Sequence, residues 1–189
     1  MKKIMIILLA TLMSVGVSAS QPEKAKDLVK ILFADANAQL LQVMEGTPMF
    51  STDWGISNKI AYSGKEYKDG EYRVIKGILV YNNDWDNDAK VAFSIKQNED
   101  GEYRIVKGIA EDAADWENPD RVAYSIRKWS DGEYRVTESI PLFDRDWDSD
   151  LRVVYTIKQS ADGDYRMIAG KVDAETTQIE NIIYSFRNI

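Results

Sequence analysis

Four Asp-Trp pairs, Asp53-Trp54, Asp84-Trp85, Asp115-Trp116 and Asp146-Trp147, are the residues in this sequence best suited to recognising a ligand. An exposed indole face can stack on a sugar ring while neighbouring carboxylate and amide groups hydrogen-bond its hydroxyls. These eight residues are therefore the expected ligand-binding set, and their repetition would turn several weak sites into avidity. The competing expectation is architectural: the four Trp side chains fold back over the end of a sheet, and each Asp accepts hydrogen bonds from nearby backbone N–H groups.

Acid is concentrated around the same pairs. In 82–88 and 144–150, Asp and Asn alternate and supply the hard oxygens that calcium prefers, which makes Asp84, Asp86, Asp88, Asp144, Asp148 and Asp150 candidate metal ligands. The pattern is incomplete. No loop carries the Gly and distal Glu of a helix-loop-helix calcium site, and Asp53 to Asn58 lacks the acid cluster. No other cofactor is expected.

The chain contains no His and no Cys, which removes the usual zinc sites, thiol catalysis and the Ser-His-Asp arrangement. A carboxylate pair acting as in glycoside hydrolysis is the one remaining catalytic foothold. Acids are abundant enough here to pair by chance, and no unit carries a distinctive insertion, so no enzyme is expected.

What positions these residues is a repeat. The Asp-Trp pairs recur every 31 residues without insertion. A second marker keeps the same step: Asp69-Gly70, Asp100-Gly101, Asp131-Gly132 and Asp162-Gly163, each followed by an acid, Tyr and Arg. Between the markers lie 59–63, 90–94, 121–125 and 152–156, with a fifth, displaced copy at 181–185. Alternation predicts a strand in which Val91, Phe93 and Ile95 share the buried face. Asp-Gly between two such runs is a hairpin signal, with Gly in the left-handed position of a turn plus bulge.

The expected fold is all-β with one N-terminal helix. Its sheet is a tandem hairpin meander of about nine antiparallel strands, forming a curved sheet or an up-and-down barrel that protects its edges. A β-solenoid is the rival architecture, but it would stack Arg121 over Lys90 and Asp115 over Asp84, placing like charges opposite one another. An outer-membrane barrel is disfavoured because Lys76, Lys107 and Glu138 interrupt the apolar positions. Trp129 occurs in one unit only, where its counterparts are Tyr67, Asn98 and Ser160, so no repeated role is expected of it.

Three segments are expected. Residues 1–19 read as a signal peptide, with Lys2 and Lys3 before an apolar run and Val17, Ser18 and Ala19 before the cut. Residues 20–46 read as an amphipathic helix with Val29, Phe33, Ala36, Leu40, Val43 and Met44 on its apolar stripe, covering the sheet. Residues 47–189 form the hairpin domain. Loss of Lys2 and Lys3 leaves 22 basic against 31 acidic groups, a balance that disfavours nucleic acid and anionic lipid. The leading expectation is an exported, periplasmic or extracellular binding module of carbohydrate-binding or adhesin type. The alternative is a structural or protein-interaction component of the cell envelope or extracellular matrix, its partner another protein of that compartment. Insertion into a membrane is not expected.

Overall fold

The computed structural model describes residues 41–68, 70–129, 133–172 and 182–188. Ten antiparallel strands close into a barrel: β1 (Leu41–Glu45), β2 (Ile60–Lys68), β3 (Glu71–Lys76), β4 (Val91–Gln97), β5 (Tyr103–Lys107), β6 (Val122–Lys128), β7 (Tyr134–Glu138), β8 (Val153–Gln159), β9 (Tyr165–Ala169) and β10 (Ile182–Asn188). Each strand pairs with its chain neighbours, and β1 pairs with β10 to complete the circle. The tandem hairpins and the up-and-down barrel are as expected, whereas a solenoid would have needed parallel pairing.

Two expectations are corrected. The strand count is ten rather than nine, and the extra strand comes from residues assigned above to the end of the helix. Leu41-Gln42-Val43-Met44-Glu45 alternates with period two, with Leu41 and Val43 buried in the barrel interior. Val43 and Met44 therefore belong to a strand. The remainder of the expected helix and the expected signal peptide lie outside the described residues.

β1 also keeps the repeat. Leu41, Val43, Met44 and Gly46 stand 31 residues before Tyr72, Val74, Ile75 and Gly77. The barrel is thus five repeats, with the fifth divided between β10 and β1 at opposite ends of the chain.

Registers place the inward side chains in four layers of five. Tyr62, Phe93, Tyr124, Tyr155 and Tyr184 form the layer at the end where the long loops emerge, followed by Val43, Val74, Ile105, Val136 and Met167. The third layer holds Gly64, Ile95, Ile126, Ile157 and Phe186, one small and one large residue replacing two of medium size. Leu41, Tyr72, Tyr103, Tyr134 and Tyr165 close the hairpin-turn end. Branched and aromatic side chains line the pleated interior and are buried there.

A bulge in every repeat changes which face the next residue occupies. The register skips Ala61, Ala92, Ala123, Val154 and Ile183. Their carbonyls accept from the amides of Gly77, Gly108, Ser139, Gly170 and Gly46 respectively, at 2.7 to 3.0 Å. These five donor residues all have positive φ, including Ser139 at 55°. The extra residue turns Val91 away from Phe93 and Ile95, so Val91 packs outside the barrel against Trp85 and Ile75. The single buried face expected for Val91, Phe93 and Ile95 is corrected accordingly.

Candidate functional site

Antiparallel pairing gathers the four Asp-Trp loops at one end of the barrel, opposite the hairpin turns. Each of the four Asp-Trp loops contains a short 3₁₀ turn, at Ser51–Gly55, Asn82–Asp86, Ala113–Glu117 and Asp144–Asp148. These turns lay the Trp side chains back onto the outer wall.

The four Trp are buried. Trp54 packs on Met44 and Ile60, Trp85 on Ile75 and Val91, and Trp116 on Val106 and Val122, while Trp147 is 1% exposed. A cation from the wall covers three of the rings, each at 5.1 Å: Arg187 over Trp54, Lys65 over Trp85 and Arg127 over Trp147. The indole N–H groups of Trp54 and Trp85 have no acceptor among the described residues, so apolar packing is what these rings contribute. None of these four indole faces is open to a sugar.

The partner Asp side chains hold the turns together. Asp53 Oδ2 accepts from the amides of Met49 and Phe50 at 3.0 and 3.2 Å, and its Oδ1 meets Lys59 Nζ at 2.6 Å. Asp84 accepts from Tyr81 N at 3.1 Å and meets Lys90 Nζ at 2.7 Å. Asp115 accepts from Glu111 N at 2.8 Å and from Arg121, and Asp146 from Leu142 N and Phe143 N. The ammonium of Lys59 holds the Asp53 carboxyl below its ordinary range, and that of Lys90 does the same for Asp84. For Asp115 the first cause is the Glu111 amide, followed by Arg121. In the first three loops the motif is a staple tying the start of the loop to its end, while Asp146 holds the start of the fourth.

The calcium candidates are distributed among cations. Asp86 accepts from Arg73 and Tyr67, Asp148 from Arg135 and Lys171, and Asp144 from Arg127, while Asp150 lies 3.5 Å from Lys171. Lys171 and then Arg135 lower the Asp148 carboxyl. Asp84 is spent on its own loop, and Asp88 is exposed without an ion pair among the described residues. Among the described residues no three carboxylates come together as a metal cage.

Beneath the loops the outer wall is polar and ionically paired. Arg73 and Arg135 are buried and donate to the carbonyls of Trp85 and Trp147, at 2.6 and 2.9 Å. Glu102 bridges Arg104 and Arg127, and Asp164 meets Arg187 at 2.7 Å. Trp129 does share a role, contrary to expectation: Arg135 lies 4.4 Å from its ring and Arg73 lies 3.5 Å from that of Tyr67, so units one and three use the same clamp.

The rim exposes different residues from those the motif suggested. Met49-Phe50, Val80-Tyr81 and Leu142-Phe143 stand at the 31-residue step, immediately before the turns, and are 57 to 81% exposed. The equivalent pair in the third unit is Glu111-Asp112. Their backbone amides are held by the staple Asp, which pins the chain and turns the side chains outward. The sequence signal was present as apolar residues four and five positions before three of the four Trp.

No family model, curated protein or solved structure matches this chain.

Proposed function

We propose that this chain is an exported, non-catalytic interaction module of the cell envelope or extracellular matrix, docking a protein partner through its loop rim. The observation that carries the reading is the exposed apolar-aromatic pair repeated in three loops at one end of a closed barrel. Large apolar side chains exposed together at one end of a fold mark an interaction site more often than a solvent face. Closure of the barrel supports the same choice of surface, because no sheet edge is left for strand addition. Export is supported by the charged and apolar start of the sequence.

A photo-crosslinking residue in place of Tyr81, compared with one in place of Lys68 at the hairpin end, tests this in the native host. A discrete adduct from the rim position alone is expected, lost on Leu142→Ser with Phe143→Ser. Equal yields from both ends, or none from either, would defeat it.

Carbohydrate recognition survives as a second reading in shifted form. Tyr81 is 64% exposed beside Asn82 and Asn83, so the stacking ring would be Tyr81 rather than Trp85. A glycan-array signal abolished by Tyr81→Ser and untouched by Phe143→Ser would establish it.

A further inference from the structure

We infer that the occupant of the rim is a cationic amphipathic segment of a protein partner, a conclusion that rests on the rim being the docking surface. The argument is one of charge placed around apolar anchors. Residues 46–59 carry one acid and one base, 77–90 three acids and one base, 108–121 five and one, and 139–152 four and two. These four loops hold an excess of eight acids, while the whole chain has a formal charge of −7. All of the net negative charge therefore lies at the end that also exposes the apolar pairs, and everything else is close to neutral.

Much of that excess is unspent. Asp53, Asp84 and Asp115 are ion-paired within their loops, but Asp88, Glu111, Asp112, Glu117 and Asp120 are exposed and form no ion pair among the described residues. They lie in the second and third loops, beside Val80-Tyr81. Neighbouring loops are two strands apart, about 10 Å at ordinary strand spacing, so apolar and acidic positions interleave within the reach of one helical or extended segment. Acids around an apolar patch repel anionic lipid and acidic protein alike, and attract a partner carrying Lys or Arg beside its apolar side chains. The third loop, with Glu111-Asp112 where its neighbours are apolar, is the point of strongest attraction.

Fluorescence anisotropy of two synthetic helical peptides, one of Leu and Lys and its counterpart of Leu and Glu, against the full mature chain tests the inference. The Leu-Lys peptide is expected to bind and the Leu-Glu peptide to remain free. The combined Phe50→Ser, Tyr81→Ser and Phe143→Ser variant should bind roughly tenfold more weakly. Glu111→Lys with Asp112→Lys should weaken binding and flatten its salt dependence. Those substitutions are on exposed side chains, and an unchanged circular dichroism spectrum and melting temperature verify that the barrel is intact. Equal binding of both peptides, lost in the triple Ser variant, would overturn the cationic partner and leave the rim standing. Binding of the Leu-Lys peptide that the triple Ser variant keeps in full would overturn both. Self-association by light scattering, or adsorption to phosphatidylcholine vesicles, lost in the triple Ser variant would replace the partner with a second copy or a lipid surface.

Discussion

Raising the pH should unfold this barrel from the inside. Tyr72, Tyr124, Tyr134 and Tyr184 face the interior and are 4% exposed or less. Burial is the first cause that pushes each phenol above its ordinary range. Nearby acids add to it: Glu66 for Tyr72, Glu138 for Tyr124 and Glu45 for Tyr184. An unfolded tyrosine ionises near pH 10, whereas the folded one keeps its proton, so stability is complete below about pH 10 and falls above it. One retained proton costs about 1.4 kcal/mol per pH unit, and four together about 5.5 kcal/mol per unit. A domain of ordinary stability, about 5–15 kcal/mol, should then unfold within roughly one to three units above pH 10. Tyrosinate absorbance followed together with far-ultraviolet circular dichroism checks this. The interior phenols should ionise in one step that coincides with loss of the sheet signal. Complete tyrosinate formation with the sheet signal preserved would refute a packed, dry interior.

Trp85→Ala should cost about 3–5 kcal/mol in chemical denaturation, as expected for a large side chain removed from a packed site. A change below 1 kcal/mol would put the indole outside the packing described. Gly77→Ala adds a methyl that meets nothing within 4 Å, at φ +70°, so its cost should be purely conformational, about 1–2 kcal/mol. Thermal denaturation showing no loss would refute a left-handed requirement there. A circular permutant joining Asn188 to Leu41 through a copy of residues 98–102, opened between Asp100 and Gly101, should retain a cooperative transition because it completes the divided repeat as a hairpin. Deleting residues through Glu45 should instead leave β2 and β10 as open edges and cause aggregation, read by light scattering.

The repeat and its hairpins were legible because two-residue alternation and an Asp-Gly turn are local properties. The strand that completes the circle was not, because β1 has to be recognised by its distance from Tyr72 and Gly77 rather than by its own composition: Leu41 to Glu45 also continues a helical stripe from Val29 and Phe33. Pairing with β2 and β10 on both sides supplies what a five-residue strand cannot supply alone, and tertiary hydrogen bonding overrides the local helical preference.

The reversal at the site has a similar origin. Val80 and Val91 belong to the same residue type in the same unit, yet one is 62% exposed and the other 4%. A bulge at Ala92 swings Val91 under Trp85, while the Asp84 carboxylate, by holding the amide of Tyr81, keeps the chain at Val80 away from the wall. One Asp-Trp pair therefore performs two tasks: its indole seals the wall, and its carboxylate fixes the backbone that displays the preceding apolar pair. Under the proposed docking role, the motif would support recognition without making the contact. Substituting the staple Asp should then disorder the rim as well as weaken the fold, whereas substituting Tyr81 should affect the rim alone.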